Sequence, residues 1–369
     1  MAAKALSEHG RNRVDFIQAL RGIAAVAVVG FHARGALDSI HGLGERLFAM
    51  GFAGVDLFFV ISGFIMVEAT ADRRPDGRSF LIKRLARVWP VYVIATIIHV
   101  TVRFGLVSYL ARPANLRALA KAFAFYPQAP HGAPFLGFAP DDVGWTLNYE
   151  FAFYVMFAIA LAFDRARYLV LTALFATVLV VVPLVLGHGA LRLDPYGDYH
   201  LRPAELELTA SPMMWEFLAG VGVALIYRSR FRIASRALRR AFVAIAVTAT
   251  VAQYLMHYRL GYGITHMGAT FVVLVLALAL AHKEQPLRVP RLLLWLGNIS
   301  FSLYLFHRVA QHLMFRLCWG TWLQPQLDRP SYFIVSSALA LAFAQLSYVV
   351  LERGLSERVR RTALRALGR

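Results

Sequence analysis

The stretch FIQALRGIAAVAVVGFHAR, residues 16–34, decides the fold of this chain. It is apolar and long enough to cross a bilayer as a helix, which needs about 20 residues. Arg21 and His32 share one helical face inside it, about 16 Å apart along the axis. Ionisable groups in hydrocarbon are costly and usually face a bundle interior or a polar cavity, so the pair predicts a functional site. The alternative is that Arg21 reaches the headgroups while His32 hydrogen-bonds a neighbouring helix.

The composition excludes an ordinary soluble domain. Of the 369 residues, 59% are hydrophobic and only 16% are charged. We therefore expect an all-α, polytopic membrane bundle that forms a single domain over residues 1–369, with a cytoplasmic leader (1–15), a membrane core (16–352) and a basic tail (353–369). About ten transmembrane helices are predicted, over residues 16–34, 47–69, 88–110, 145–163, 168–187, 211–227, 241–256, 264–281, 292–317 and 331–351.

The formal net charge of +18 does not indicate nucleic-acid binding, because most basic residues fall in segments on one predicted side of the membrane. That bias follows the positive-inside rule and predicts cytoplasmic N- and C-termini beside anionic lipid headgroups. No cleavable signal peptide is expected. The single cysteine, Cys318, cannot form an intramolecular disulfide, and no His/Cys spacing predicts a metal site.

Two predicted spans carry carboxylates. Asp56 lies in the second span with Ser62, and Glu150 lies in the fourth span after Trp145 and Asn148. A buried carboxylate needs a partner, and Arg21 or His32 of the first span is a candidate. Each carboxylate could orient a catalytic histidine or could serve only a structural ion pair.

Further polar groups lie on the third and ninth spans. Arg84 and Arg87 stand three residues apart at the predicted start of the third span, where they could grip phosphate oxygens or act as positive-inside anchors. Tyr304 and His307 of the ninth span line a cavity or link helices.

Taken together, these motifs resemble the integral-membrane acyltransferases of the acyltransferase-3 type, and most closely the exopolysaccharide O-acetyltransferase branch. They cover nearly the whole chain in family order: DFIQALRGIAAVAVVGFH (15–32), GVDLFFVISGFIM (54–66), FLIKRLARVWPVY (80–92), GWTLNYEFAFY (144–154) and LGNISFSLYLFH (296–307).

The resemblance implies a role for each matching position. Arg21 and His32 match the Arg-x10-His pair, in which the histidine is regarded as catalytic. Arg84 and Arg87 match the donor-binding Arg-x-x-Arg pair. The remaining assignments are catalytic for Asp56 and Glu150, donor-binding for Arg21 and Ser62, and substrate-binding for Trp145, Asn148, Tyr304 and His307.

The resemblance also implies the reaction. Acyl-CoA, acetyl-CoA in particular, is the donor, with no tightly bound cofactor. The acceptor is a hydroxyl of an exopolysaccharide or another surface glycan, and polysaccharide biosynthesis machinery is a further partner. His32 would act as general base with Asp56 or Glu150 fixing its tautomer, while an acyl-enzyme on His32 or Ser62 stays open.

The expected location is the bacterial inner membrane.

The sequence leaves three alternative functions open. They are a flippase for a lipid-linked saccharide, a structural subunit of an export assembly, and an acyltransferase with a non-glycan acceptor.

Overall fold

The computed structural model describes residues 14–71, 76–187 and 189–366. Within those ranges the chain consists of helices joined by loops and contains no β-strand, which confirms the all-α class. Residues 1–13, which are most of the expected leader, and residues 367–369 of the tail lie outside the described residues.

Each of the ten predicted segments coincides with a helix. We number them α1 (Asp15–Ala33), α2 (Gly54–Thr70), α3 (Gly77–Phe104), α4 (Trp145–Leu161), α5 (Asp164–Leu186), α6 (Met214–Arg228), α7 (Arg236–Leu255), α8 (Ala269–Glu284), α9 (Arg291–Cys318), α10 (Pro330–Ser347) and a C-terminal helix α11 (Glu357–Ala366). A π-helical segment, Tyr348–Ser356, joins α10 to α11.

Length and apolarity qualify fewer helices as membrane spans. Seven of the described helices meet both requirements, and an eighth does so if α6 is combined with the short helix Ala204–Ala210, from which it bends by 46°. The helix α4 is apolar but shorter, and α7 begins with three arginines in its first two turns. The chain is thus a multi-pass helical membrane protein, and the count of ten spans stays a prediction.

The helix α3 begins earlier than the sequence predicts. Asp76 caps it, with its carboxylate accepting a hydrogen bond from the Ser79 amide at 2.9 Å. Arg84 and Arg87 therefore lie well inside the helix rather than at its start, and their side chains project from a continuous helical surface.

Close packing joins α9 to α1 and α10, and α6 to α2. Gly297 lies so close to α1 that an added Cβ would stand 2.1 Å from the Gln18 carbonyl oxygen, and a Cβ on Gly220 would stand 2.0 Å from that of Val60. Small residues at helix crossings let two backbones approach in this way. These contacts fix the faces of α1 and α2 that point into the bundle.

The ends of the bundle differ in chemistry. We call the end that carries His32 the histidine end and the end that carries Arg84 and Arg87 the arginine end. Gln18 and Arg360 line one cavity at the arginine end, so the two described ends of the chain lie together there. That this end is cytoplasmic stays a prediction.

Candidate active site

Three cavities follow one another through the bundle. The histidine chamber, at the histidine end, has a volume of about 960 Å³. A neck of about 90 Å³ follows, and the arginine chamber, at the arginine end, has about 570 Å³. Val55 and Tyr304 line both the histidine chamber and the neck, while Arg21, Arg84 and Arg87 line both the neck and the arginine chamber. The cavities therefore adjoin one another in a row from Arg21 to His32, and we call this row the lined path.

His32 faces the histidine chamber from the last turn of α1. Its Nδ1 lies 3.0 Å from the Val28 carbonyl oxygen and 3.4 Å from Nε2 of His307. Nδ1 of His307 lies 2.7 Å from the Tyr304 carbonyl oxygen and so donates its proton there. In the neutral pair, Nε2 of His307 is then an acceptor and Nδ1 of His32 carries the proton. Nε2 of His32 is thereby left as the basic nitrogen.

This arrangement differs from the sequence-based expectation that Asp56 or Glu150 fixes the tautomer of His32. Among the described residues, the Val28 carbonyl and His307 are the hydrogen-bond partners of His32. The backbone carbonyl one turn earlier is always within reach of a helical histidine, which makes a carboxylate unnecessary. His307, expected to bind substrate, is fully buried and acts on His32 instead.

Asp56 lies elsewhere. Its fully buried carboxylate accepts a hydrogen bond from the Gly263 amide at 3.1 Å and adjoins Glu216 of α6. Gly263 follows Tyr262, whose ring is part of the chamber wall. Asp56 is therefore hydrogen-bonded to the backbone directly beside that wall.

An ion pair that sequence reasoning missed lies beside His32. Nε of Arg308 lies 3.0 Å from both carboxylate oxygens of Asp142, and its Nη2 lies 2.7 Å from Oδ2. Asp142 and His32 line the same chamber. Burial acts to raise the pKa of Asp142, but the hydrogen bonds and charge of Arg308 outweigh it and hold that pKa well below its usual range. The available signal was the aspartate doublet Asp141–Asp142, which precedes Trp145 by three residues.

Aromatic rings make up much of the chamber wall. Trp145 contacts Phe135 with ring centroids 4.9 Å apart and Tyr262 at 5.5 Å. The Tyr304 hydroxyl donates to the Val143 carbonyl at 3.0 Å and contacts the Thr146 hydroxyl at 2.9 Å. Trp145 and Tyr304, both expected to bind substrate, thus lie at the chamber.

Asn148 is the exception among the expected substrate residues. It is buried and is not among the residues that line the three cavities. The neck is lined from α4 by Thr146, Leu147 and Glu150. At 100° per residue, Asn148 points away from that face of the helix.

The neck holds Ser62 and Glu150 across from one another. The Ser62 hydroxyl donates to Oε1 of Glu150 at 2.9 Å, and the Tyr154 hydroxyl makes a short hydrogen bond to the same oxygen. These groups add polar atoms to a neck whose other polar residues include Arg21, Arg84 and Arg87. Ser62 and Glu150 lie between the arginines and His32, and neither of the two contacts His32.

The arginine chamber collects cations from three helices and from the π-helical segment Tyr348–Ser356, which contributes Arg353. Arg21 of α1 joins Lys83, Arg84 and Arg87 of α3 in its wall, and Arg360 of α11 faces the same space. Glu352 and Glu357 line it too, and Glu357 forms an ion pair with Arg360 at 2.7 Å. Clustered guanidinium groups of this kind bind phosphate oxygens.

Comparison with known proteins places this geometry in a family context. A family model described as an acyltransferase domain matches residues 14–349. No solved structure matches the chain.

Three relatives illustrate the range of similar proteins. The exopolysaccharide production protein ExoZ of Rhizobium meliloti is 29% identical over 85% of this chain and 92% of its own length. The putative membrane-bound transacylase BcsY of Komagataeibacter xylinus is 28% identical over 93% and 83% of the two chains. The acyltransferase MdmB of Streptomyces mycarofaciens is 25% identical over 97% and 93%.

Proposed function

The chain belongs to the acyltransferase family that this model describes, and we propose that it transfers an acyl group, acetyl in particular, from cytoplasmic acyl-CoA to a hydroxyl of an exopolysaccharide or another surface glycan. Membership of the family makes it an O-acyltransferase. The observation that carries the finer proposal is the lined path that joins the arginine chamber to His32.

The arginine chamber suits the nucleotide end of the donor. Its cations from α1, α3 and α11 can pair with the phosphates of coenzyme A. At about 90 Å³ the neck is too small for a nucleotide, but an extended pantetheine arm is a single chain of atoms. The amides of that arm would find Ser62 and Glu150 on their way to His32.

The histidine chamber suits the acceptor. It is the largest of the three cavities, and its aromatic wall offers flat apolar surfaces to the faces of sugar rings. ExoZ, by its name, takes part in exopolysaccharide production, which favours a glycan acceptor for this chain also.

The proposed reaction is a direct transfer. Nε2 of His32 takes the proton from the sugar hydroxyl as its oxygen attacks the thioester carbonyl carbon. A carbon–oxygen bond forms and the carbon–sulfur bond breaks. The proton then passes from His32 to the thiolate, which leaves as free coenzyme A.

The test is the acyl content of exported polysaccharide, measured by NMR in a deletion strain complemented with variants. We expect the deletion strain to export polysaccharide without acyl groups, and expect wild-type and His41→Ala chains to restore them. The exposed His41 belongs to the loop after α1 and is the matched control. A deletion strain that exports no polysaccharide, but regains export with the His32→Ala chain, would instead support a flippase.

The inner membrane of a bacterium is the location that this proposal requires. Acyl-CoA is made in the cytoplasm, so the arginine end must face it. The predicted cytoplasmic placement of both termini at that end agrees with the position of Arg360 beside Gln18.

A further inference from the structure

Two histidines face each other outside the path just described. His131 lies in the connection between α3 and α4, and His200 lies in the connection between α5 and α6. Their ring centroids are 5.3 Å apart. Asp198 adjoins both, and one ligand atom from each of the three side chains lies within 4.8 Å of the others.

The carboxylate of this cluster is fixed in place. Oδ1 of Asp198 accepts hydrogen bonds from the amides of Ala133 at 2.9 Å and Gly132 at 3.1 Å, and Oδ2 accepts one from Gly132 at 2.9 Å. A carboxylate has about four acceptor positions, so capacity for a further ligand remains. Within the described residues, neither His131 nor His200 has a hydrogen-bond partner.

We propose that His131, Asp198 and His200 bind a divalent transition-metal cation, with Zn²⁺ as the type case. Two imidazole nitrogens and one carboxylate oxygen form an established zinc ligand set, with bonds of about 2.0 to 2.2 Å. Tetrahedral bonds of that length place ligand atoms about 3.3 Å apart, so the exposed imidazoles must close by up to about 1.5 Å. Water completes the coordination.

A second group of potential ligands, His99 with Asp141 and Asp142, does not support a similar proposal. Arg308 binds both oxygens of Asp142, and Arg103 stands 3.8 Å from Oδ2. Two guanidinium groups therefore already supply positive charge at that position. Within the part of the chain that the structure describes, the cluster of His131, Asp198 and His200 has no cationic side chain in its hydrogen bonds.

A metal at this position would join two loops that form part of the histidine chamber. The loop of His131 contributes Phe135 and Phe138 to the chamber wall, and the loop of His200 contributes Tyr196. The bound cation would fix the two loops relative to each other and so hold this part of the chamber wall in one shape. The proposed site is a structural metal site that is separate from His32. It does not depend on the proposed acyl-transfer reaction.

The sequence predicts no metal because the ligands come from loops that are distant along the chain. Asp198 and His200 are two residues apart, a spacing that is common without any metal. Only the folded arrangement adds His131.

The experiment is thermal unfolding of the purified, tag-free protein in detergent, with Zn²⁺ as the probe and metal analysis alongside. We expect Zn²⁺ to raise the unfolding midpoint by a few degrees with saturation, and expect one bound Zn²⁺ per chain. His131→Ala and His200→Ala should each lose at least most of the shift. His41→Ala, an exposed histidine at the same end, should keep it.

A second variant guards against a folding defect. His131→Cys supplies a thiolate ligand and should restore part of the Zn²⁺ shift that the alanine removes. If His131→Ala unfolds at a lower midpoint than wild type in the absence of metal, its lost Zn²⁺ shift does not separate loss of a ligand from a folding defect. The Zn²⁺ shift of His131→Cys then decides between these two causes. The proposal is overturned if Zn²⁺ changes the midpoint of wild type and of the double variant His131→Ala/His200→Ala equally.

Discussion

At the residue scale, two hydrogen-bond partners, the Val28 carbonyl and His307, place the proton of His32 on Nδ1 and leave Nε2 as the base. A single sequence does not identify His307 as one of these partners. The shared face of Arg21 and His32 could be predicted from helical periodicity, because the backbone alone sets it. The contact of His32 with His307 joins helices that are distant in sequence, so periodicity gives no information about it.

We predict that His32→Ala lowers the rate of acyl transfer by about 10² to 10⁴, the range typical of a general base. The Michaelis constant for acyl-CoA should change little, because the arginine chamber is distant from the base. Steady-state kinetics with the purified enzyme measure both values. Unchanged turnover in a correctly folded variant would remove His32 from the reaction.

His307→Gln tests the tautomer argument separately. Its amide can donate as well as accept, so only the Val28 carbonyl then still favours the proton on Nδ1 of His32. We expect reduced turnover, an altered pH profile of turnover and an unchanged Michaelis constant for the donor. A merely structural role for His307 would leave the shape of the pH profile as in wild type.

Asp142→Asn tests the ion pair with Arg308. Loss of the charge-assisted hydrogen bonds should lower the free energy of unfolding by about 2 kcal/mol. Since folding lowers the pKa of Asp142, the pair stabilises the fold above the unfolded-state pKa, about 3.9, and loses this effect as pH falls through the folded value. The stability difference between wild type and variant should therefore stay constant from about pH 5 to about pH 8. A difference that shrinks within that range would contradict the assignment.

At the element scale, apolar length located the ten predicted helices but not α11 in the basic tail, whereas local contacts set helix ends and faces. The third helix starts at Gly77 because Asp76 caps it, which moves Arg84 and Arg87 into its interior. Asn148 lies on the wrong face of α4 to meet the neck, although its neighbours Leu147 and Glu150 line it. A motif indicates that a segment matters, but helical geometry decides which of its residues face the cavity.

The helix α11 adds to the proposed donor site a residue that the family motifs do not mark. Arg360 lines the arginine chamber and pairs with Glu357, a partner that phosphate would replace. We predict that Arg360→Gln raises the Michaelis constant for acyl-CoA about fivefold, a modest effect because the side chain is partly solvated.

The control for this prediction is Arg365→Gln, which changes an exposed arginine of the same helix that is not among the chamber residues. A truncated acyl-pantetheine donor, which lacks the nucleotide, should show no difference between Arg360→Gln and wild type. Equal effects of both substitutions on acyl-CoA kinetics would assign Arg360 to general surface charge.

At the scale of the whole molecule, the proposed acyl transfer requires the three cavities to act as one path for the donor. Sequence reasoning could place cations at one end and a histidine at the other, because helix length sets their separation. It could not establish that adjoining cavities fill the space between them, since the neck is built from α1, α2, α3, α4 and α9 together.

The most direct test is protection of a cysteine placed in the neck. Ser62→Cys, made in a Cys318→Ser background, puts one thiol between the two chambers, and its reaction with a small thiol reagent is followed with and without coenzyme A. Ser108→Cys in the same background places the control thiol in the histidine chamber wall. We expect coenzyme A to slow the modification of the Ser62→Cys variant and this protection to saturate with coenzyme A concentration. The additional substitutions Arg84→Gln and Arg87→Gln should weaken the protection. Modification at the same rate with and without saturating coenzyme A would contradict the proposed path.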